Sequence, residues 1–251
     1  LSLLAMLFLA FPTPFCFAGV APPPSALPAP ETAPPARAWL VAGVQAFDVR
    51  DFANAEILLS NALDAESLEQ GDRVAALMYR AATRNMLGDY DLMLLDAQAL
   101  VELRPKEHTP YLFKGQALFG MGMWDQSILS FTKAIKLSPT NPSTYHYRGD
   151  AWAELGDTDK ALADYGSALA ADPGYYPAAM QRAKVWRRLG RPDRAVEDYS
   201  LVLTMTPDNP QVLYLRGLAY QEMGEQAKAS QDMDQALSLD PDVEQSLDYS
   251  F

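Results

Sequence analysis

The run Gly149, Trp152, Gly156, Ala161, Tyr165, Ala168 and Pro173 returns 34 residues later as Ala183, Trp186, Gly190, Ala195, Tyr199, Val202 and Pro207. After another 34 it returns as Gly217, Tyr220, Gly224, Ala229, Met233, Ala236 and Pro241. A fixed period of this length means one supersecondary unit copied along the chain, each copy burying its apolar faces on its neighbours. The spacing predicts two helices per copy. A small residue at the eighth place lets the helices approach closely, because a larger side chain would hold them apart. Glycine at the fifteenth place ends the first helix in a turn that favours positive φ. Alanines at the twentieth and twenty-seventh places alternate with a large residue at the twenty-fourth, so the second helix interlocks with the first. Proline at the thirty-second place stops that helix before the next copy.

Five copies run without a gap, at 74–107, 108–141, 142–175, 176–209 and 210–243. Their eighth places are Ala81, Gly115, Gly149, Ala183 and Gly217, and their turn glycines are Gly88, Gly122, Gly156, Gly190 and Gly224. A weaker sixth copy precedes them at about 36–69, with Gly43, Ala55, Leu59 and Ala62 in register. It carries Arg50 in place of the turn glycine and Ser67 in place of the proline, and residues 70–73 are an insertion before the period resumes. A terminal copy departs from the pattern because one of its faces meets solvent. The copy at 74–107 inverts the size order of its second helix with Met93, Ala97 and Leu100, which predicts a locally altered helix angle.

With tyrosine or tryptophan at the eleventh place of several copies, the pattern resembles the tetratricopeptide repeat family. The resemblance covers 36–243 and implies an all-α fold, a right-handed α-solenoid of about six helical hairpins. Hydrophobic residues make up 49% of the chain, enough for a continuous core, and the polar remainder excludes a polytopic membrane protein.

Residues 1–18 read as a signal peptide: an uncharged apolar run from Leu1 to Phe11, then Cys16-Phe17-Ala18 as a small-x-small cleavage triplet. The basic stretch that should precede it is missing and residue 1 is not methionine, as expected of a truncated start. Export, to a bacterial periplasm, is therefore expected ahead of an uncleaved membrane anchor, which Pro12 and Pro14 disfavour. Lipidation at Cys16 is disfavoured by Thr13-Pro14-Phe15, which are not the small residues such attachment requires. Cleavage after Ala18 would remove the one cysteine, and with it disulfide and thiolate chemistry. Residues 19–35 form a proline-rich linker suited to polyproline II and to spacing the repeats from the N-terminus.

The chemical inventory is thin. His108 and His146 are the only histidines and lack partners at metal-ligand spacing, His108 reading as a solvated turn residue and His146 as a groove or exposed residue. Hydrolase, metalloprotease and nucleotide-binding motifs are absent, so no catalysis, cofactor or metal is expected. A net charge of −12 without a basic stripe argues against nucleic acid. A basic residue at the seventh place and an aspartate at the twenty-third recur as Arg80 with Asp96, Arg148 with Asp164, Arg182 with Asp198 and Arg216 with Asp232, while one copy has Lys114 and Ser130. They predict a ladder of ion pairs between adjacent hairpins.

The resemblance further implies that first helices line an inner groove through their second, fifth, ninth, twelfth and thirteenth places. Carried onto this sequence, those places give an apolar N-terminal half of Leu40, Val44, Phe47, Met78, Met86, Leu112 and Phe119. The C-terminal half is polar, with His146, Asp150, Glu154, Lys184, Arg187, Arg188, Tyr214, Gln221 and Glu222. The expected partner is a protein or peptide segment laying apolar side chains on the methionine and phenylalanine strip. For any one apolar residue, packing beneath a neighbouring helix is an equal reading. Lys184, Arg187 and Arg188 read as a solvated face ahead of a carboxylate pocket. The alternative is a structural, self-associating subunit of an envelope assembly, a homo-oligomer, because a tail at 244–251 with Leu247, Tyr249 and Phe251 would leave apolar surface on the last hairpin.

Overall fold

A computed structural model describes residues 35–247 as helices joined by short turns, with no strand among them. The signal, Cys16, most of the proline-rich linker, Tyr249 and Phe251 lie outside the described residues. The described chain divides into two compact units, 35–139 and 140–247, each taken by itself below.

The first unit holds three hairpins: α1 (Pro35–Asp48) with α2 (Phe52–Asp64), α3 (Gln70–Leu87) with α4 (Tyr90–Leu103), and α5 (Thr109–Gly120) with α6 (Trp124–Leu137). The second holds α7 (Pro142–Glu154) with α8 (Thr158–Ala171), α9 (Tyr176–Arg188) with α10 (Pro192–Met205), and α11 (Pro210–Glu222) with α12 (Gln226–Leu239), then a short α13 (Val243–Ser246). The insertion at 70–73 is the first turn of α3, which lengthens that helix instead of adding a loop. No helix here is long and apolar enough to cross a membrane.

Every hairpin turns the same way. The amide at the sixteenth place donates to the carbonyl at the eleventh, as in Asp89 to Arg84, Asp157 to Trp152 and Glu225 to Tyr220, each at 2.9 Å. This closure needs a left-handed residue between the helices, supplied by five glycines with φ from 68 to 80° and, in the first hairpin, by Arg50 at φ 62°. The second helices of five hairpins stop two residues before their proline.

Packing within a hairpin follows the eighth and twenty-fourth places. A Cβ added at Gly115 would lie 2.4 Å from the Phe131 ring, and one at Gly149 would lie 2.7 Å from the Tyr165 ring. Where the twenty-fourth place shrinks to Ala97, the eighth is Ala81. Met93, Ala97 and Leu100 are all fully buried, so the inverted size order of α4 is absorbed in a closed core.

The arginine–aspartate pairs form, but not where the sequence suggested. Arg80 with Asp96, Arg148 with Asp164, Arg182 with Asp198 and Arg216 with Asp232 each pair the two helices of one hairpin through two parallel hydrogen bonds of 2.6 to 3.1 Å. The ladder between hairpins is corrected to a rung within each. The reach to a neighbour comes from the remaining guanidinium nitrogen: Arg80 Nη1 donates to Ser60 on α2, and Arg216 Nη1 to Ser200 on α10.

The apolar surface expected at the C-terminus is covered in part by the tail itself. Val243 is fully buried and Leu247 nearly so, both belonging to the core of the second unit, with α13 lying against α11.

Candidate partner-binding face

In each unit the first helices of successive hairpins touch: α1 meets α3 and α3 meets α5 in one, and α7 meets α9 in the other. Second helices do not approach one another comparably, so first helices lie on the tighter, inner side of each stack.

That side is less open than the sequence implied. Leu40, Met78, Leu112, His146 and Tyr214 all occupy the fifth place, and all are buried, as is Val44 at the ninth. Leu40, Val44 and Met78 belong to the core of the first unit and Tyr214 to that of the second. These six are withdrawn as contact residues. One turn into a first helix, the chain is enclosed by the neighbouring hairpin, so the fifth place packs inward, except that Met180 in the copy at 176–209 is only half-buried. The accessible positions lie toward the C-terminal ends of the first helices, at the ninth, twelfth and thirteenth places.

In the first unit these are Phe47, Met86 and Phe119, all half-buried. Phe47 is the most constrained, its ring meeting Phe52 and Tyr79 edge-on at 5.6 Å. In the second unit they are Asp150, Glu154, Lys184 and Arg187, half-buried, and Arg188, Gln221 and Glu222, exposed.

Asp150 anchors a polar cluster that the sequence did not foretell. Its Oδ1 accepts a 2.8 Å hydrogen bond from the Tyr165 hydroxyl of α8. Its Oδ2 lies 3.4 Å from His146 Nε2, too poorly aligned for a hydrogen bond, so that buried nitrogen has no hydrogen-bond partner. His146 Nδ1 faces the Tyr175 hydroxyl at 3.5 Å. Burial pushes the Asp150 carboxyl above its ordinary range, against the opposing pull of His146, the Tyr165 hydrogen bond and Lys184. Burial, then the Asp150 charge, also raises the Tyr165 hydroxyl, which therefore stays a donor. His146 is thus neither exposed nor a groove contact. His108, expected in solvent, is half-buried at the start of α5, and its imidazole is pushed down by burial against the pull of Glu107.

Arg187 is held by Glu222, its Nε donating at 3.1 Å, which links α9 to α11. The basic trio is therefore tied into the stack through this arginine and is not a free triple charge. No group of three or more His, Cys, Asp or Glu among the described residues is placed to hold a metal.

The first unit has its own hidden polar device. Arg84 stands at the eleventh place, where the other copies have Ala46, Leu118, Trp152, Trp186 and Tyr220, and is buried. It bonds Glu56 of α2 at 3.1 Å, Asp96 of α4 at 2.7 Å and the Leu92 carbonyl at 3.1 Å. Asp96 thereby receives two arginines. A charged residue at a place otherwise filled by ring or aliphatic side chains was the available signal.

Tetratricopeptide repeat family models match residues 112–176 and 210–243. No curated protein matches the sequence. Among solved structures, the chain is similar to MamA, with 21% identity and a TM-score of 0.58 over 70% of this chain and 96% of that one. It is similar to a thermophilic TPR protein of Thermus thermophilus, with 24% identity and a TM-score of 0.60 over 75% of this chain and 98% of that one. It is also similar to YrrB, described as a TPR protein with an unusual peptide-binding site, with 18% identity and a TM-score of 0.56 over 75% of this chain and 95% of that one. Six hairpins closed by the same turn, the paired eighth and twenty-fourth places and these matches lead to one conclusion: the chain is a tetratricopeptide repeat protein.

Proposed function

We propose that the protein is a non-catalytic interaction module that holds an extended segment of a partner protein on the inner faces of its hairpins, in the bacterial cell envelope. The observation that carries the reading is the half-exposed state of Met86 and Phe119 in a chain whose neighbouring apolar places are closed. Methionine's flexible thioether adapts to varied apolar side chains, and a phenylalanine offers a flat anchor. In the second unit the corresponding places include Glu154, Arg188, Gln221 and Glu222, which suit polar and charged side chains of a segment. YrrB, with its peptide-binding site, is an analogy of fold and no more.

Selection of binders from a displayed random-peptide library, followed by hydrogen exchange on the complex, tests this. Protection is expected in the C-terminal halves of α3 and α5, and Met86→Ser with Phe119→Ser should weaken binding at least about tenfold, by loss of two partly buried anchors. Phe47 is spared because its ring also supports Phe52 and Tyr79. Protection confined to second helices, or unchanged affinity in the double variant, overturns the reading. Location is tested separately by joining an alkaline phosphatase that is active only after export to the C-terminus of the protein expressed from its natural start. An inactive reporter removes the envelope from the proposal.

A further inference from the structure

Beyond the groove, the outward-facing second helices of the first unit carry a feature that the repeat does not require. The twenty-second place holds Ile57 on α2, Leu95 on α4 and Leu129 on α6, which are 61%, 60% and 71% exposed. Leu92, one turn before Leu95, is exposed as well. The same place in the second unit holds Ala163, Glu197 and Gln231, so hairpin packing makes no demand for an aliphatic residue there. Three large aliphatic side chains standing in solvent at one register, on three consecutive hairpins, form a row that loses free energy to water until it is covered.

The charges around the row indicate what covers it. At the twenty-ninth place, α2 ends in exposed Asp64 and α6 in exposed Lys136, with Lys133 one turn earlier on α6. Asp125, a turn before Leu129 on α6, is exposed too, but at the C-terminal ends of these helices the face is acidic on α2 and basic on α6, so there it complements its own reversed image. A uniformly basic or acidic partner would be repelled at one end. We infer that this row is the interface for a second copy of the chain, related by a two-fold axis running along α4. Leu95 then meets Leu95 of the other copy, Ile57 meets Leu129, and Asp64 meets Lys136 twice. Asp91 and Glu102, both exposed on α4, meet their own copies on the axis and keep the association weak. The row is on the opposite side of the hairpins from the inner face, so the dimer and the groove reading stand or fall separately.

The test is sedimentation equilibrium of the full chain over a concentration series at low and moderate salt. A monomer–dimer equilibrium is expected. Leu95→Glu should abolish it while leaving the thermal unfolding curve unchanged, since the side chain is exposed. Lys136→Glu should raise the dissociation constant about tenfold, and Asp64→Lys added to it should return the constant to within about threefold of the original, as for two exposed ion pairs. A monomer at every concentration, a dimer indifferent to Leu95→Glu, or no recovery in the charge-exchanged double variant overturns the inference. Peptide binding measured on Leu95→Glu should be unchanged, which separates this result from a failure of the groove.

Discussion

Glycine means different things at different places of this repeat, and the structure says which glycines are replaceable. Gly149 is fixed by the Tyr165 ring 2.7 Å from where its Cβ would be. Overpacking of this kind costs about 1 to 3 kcal/mol, set against about 1 kcal/mol of helix propensity gained. Gly149→Ala should therefore destabilise in urea. Gly166 is the opposite case. A Cβ there meets only Arg182 Nη1, at 3.8 Å, in the register where Ser60 and Ser200 supply hydroxyls to Arg80 and Arg216. Gly166→Ser should stabilise by about 1 kcal/mol, from helix propensity and one new hydrogen bond. A melting temperature unchanged or lowered would show that the hydroxyl does not reach. The turn glycines were legible in the sequence because positive φ is a local demand. Replaceability at Gly166 was not, because it depends on a side chain 16 residues away.

At the scale of the helical element, the same limit governs what could be read about charge. The recurrence of arginine and aspartate was visible at once, yet a period places every copy alike and does not say whether a pair closes one hairpin or joins two. Only the geometry shows that Arg216 and Asp232 clamp α11 to α12, with Ser200 as the link to α10. Removing Arg216 leaves a carboxylate that is 5% exposed without its partner. Arg216→Ala should cost about 3 kcal/mol, and Arg216→Ala with Asp232→Ala appreciably less, a difference that a double-mutant cycle reads directly. At Asp150 on α7, burial raises the carboxyl against the opposing pull of His146. A carboxyl raised in the folded state adds stability below its unfolded value and loses it as pH climbs through the folded one. Asp150→Asn should thus stabilise the protein at neutral pH, with the gain vanishing as pH falls through the carboxylate range. A gain that persists in acid would place its origin elsewhere. The cluster escaped the sequence because Tyr165 and Tyr175 occupy places that the repeat assigns to packing and to the inter-repeat turn.

For the whole molecule, the consequence of stacking is that stability is distributed as hairpin terms and contacts between neighbours, with no single core to fail at once. The sequence showed this architecture almost completely, because the repeat is a statement about what each copy must bury. It said least about the end of the stack, where copying stops and no register predicts the next contact. There the chain uses α13: Val243, the last residue of the final copy, is fully buried, and Leu247 follows it into the core. Val243→Asp would bury a charge against α11 or release α13 to avoid doing so. The expected result in native-state hydrogen exchange is a fall of about 2 kcal/mol in the opening free energy of α11 and α12, with smaller losses in α9 and α10 and none in α1 to α6. Equal loss in every hairpin would mean that the described residues unfold as one cooperative body. A loss confined to α13 would mean that the short helix is ornamental. A loss graded along the stack is the behaviour that nearest-neighbour coupling requires, and it would make the C-terminal hairpin the part of the molecule most easily opened by a partner or a protease.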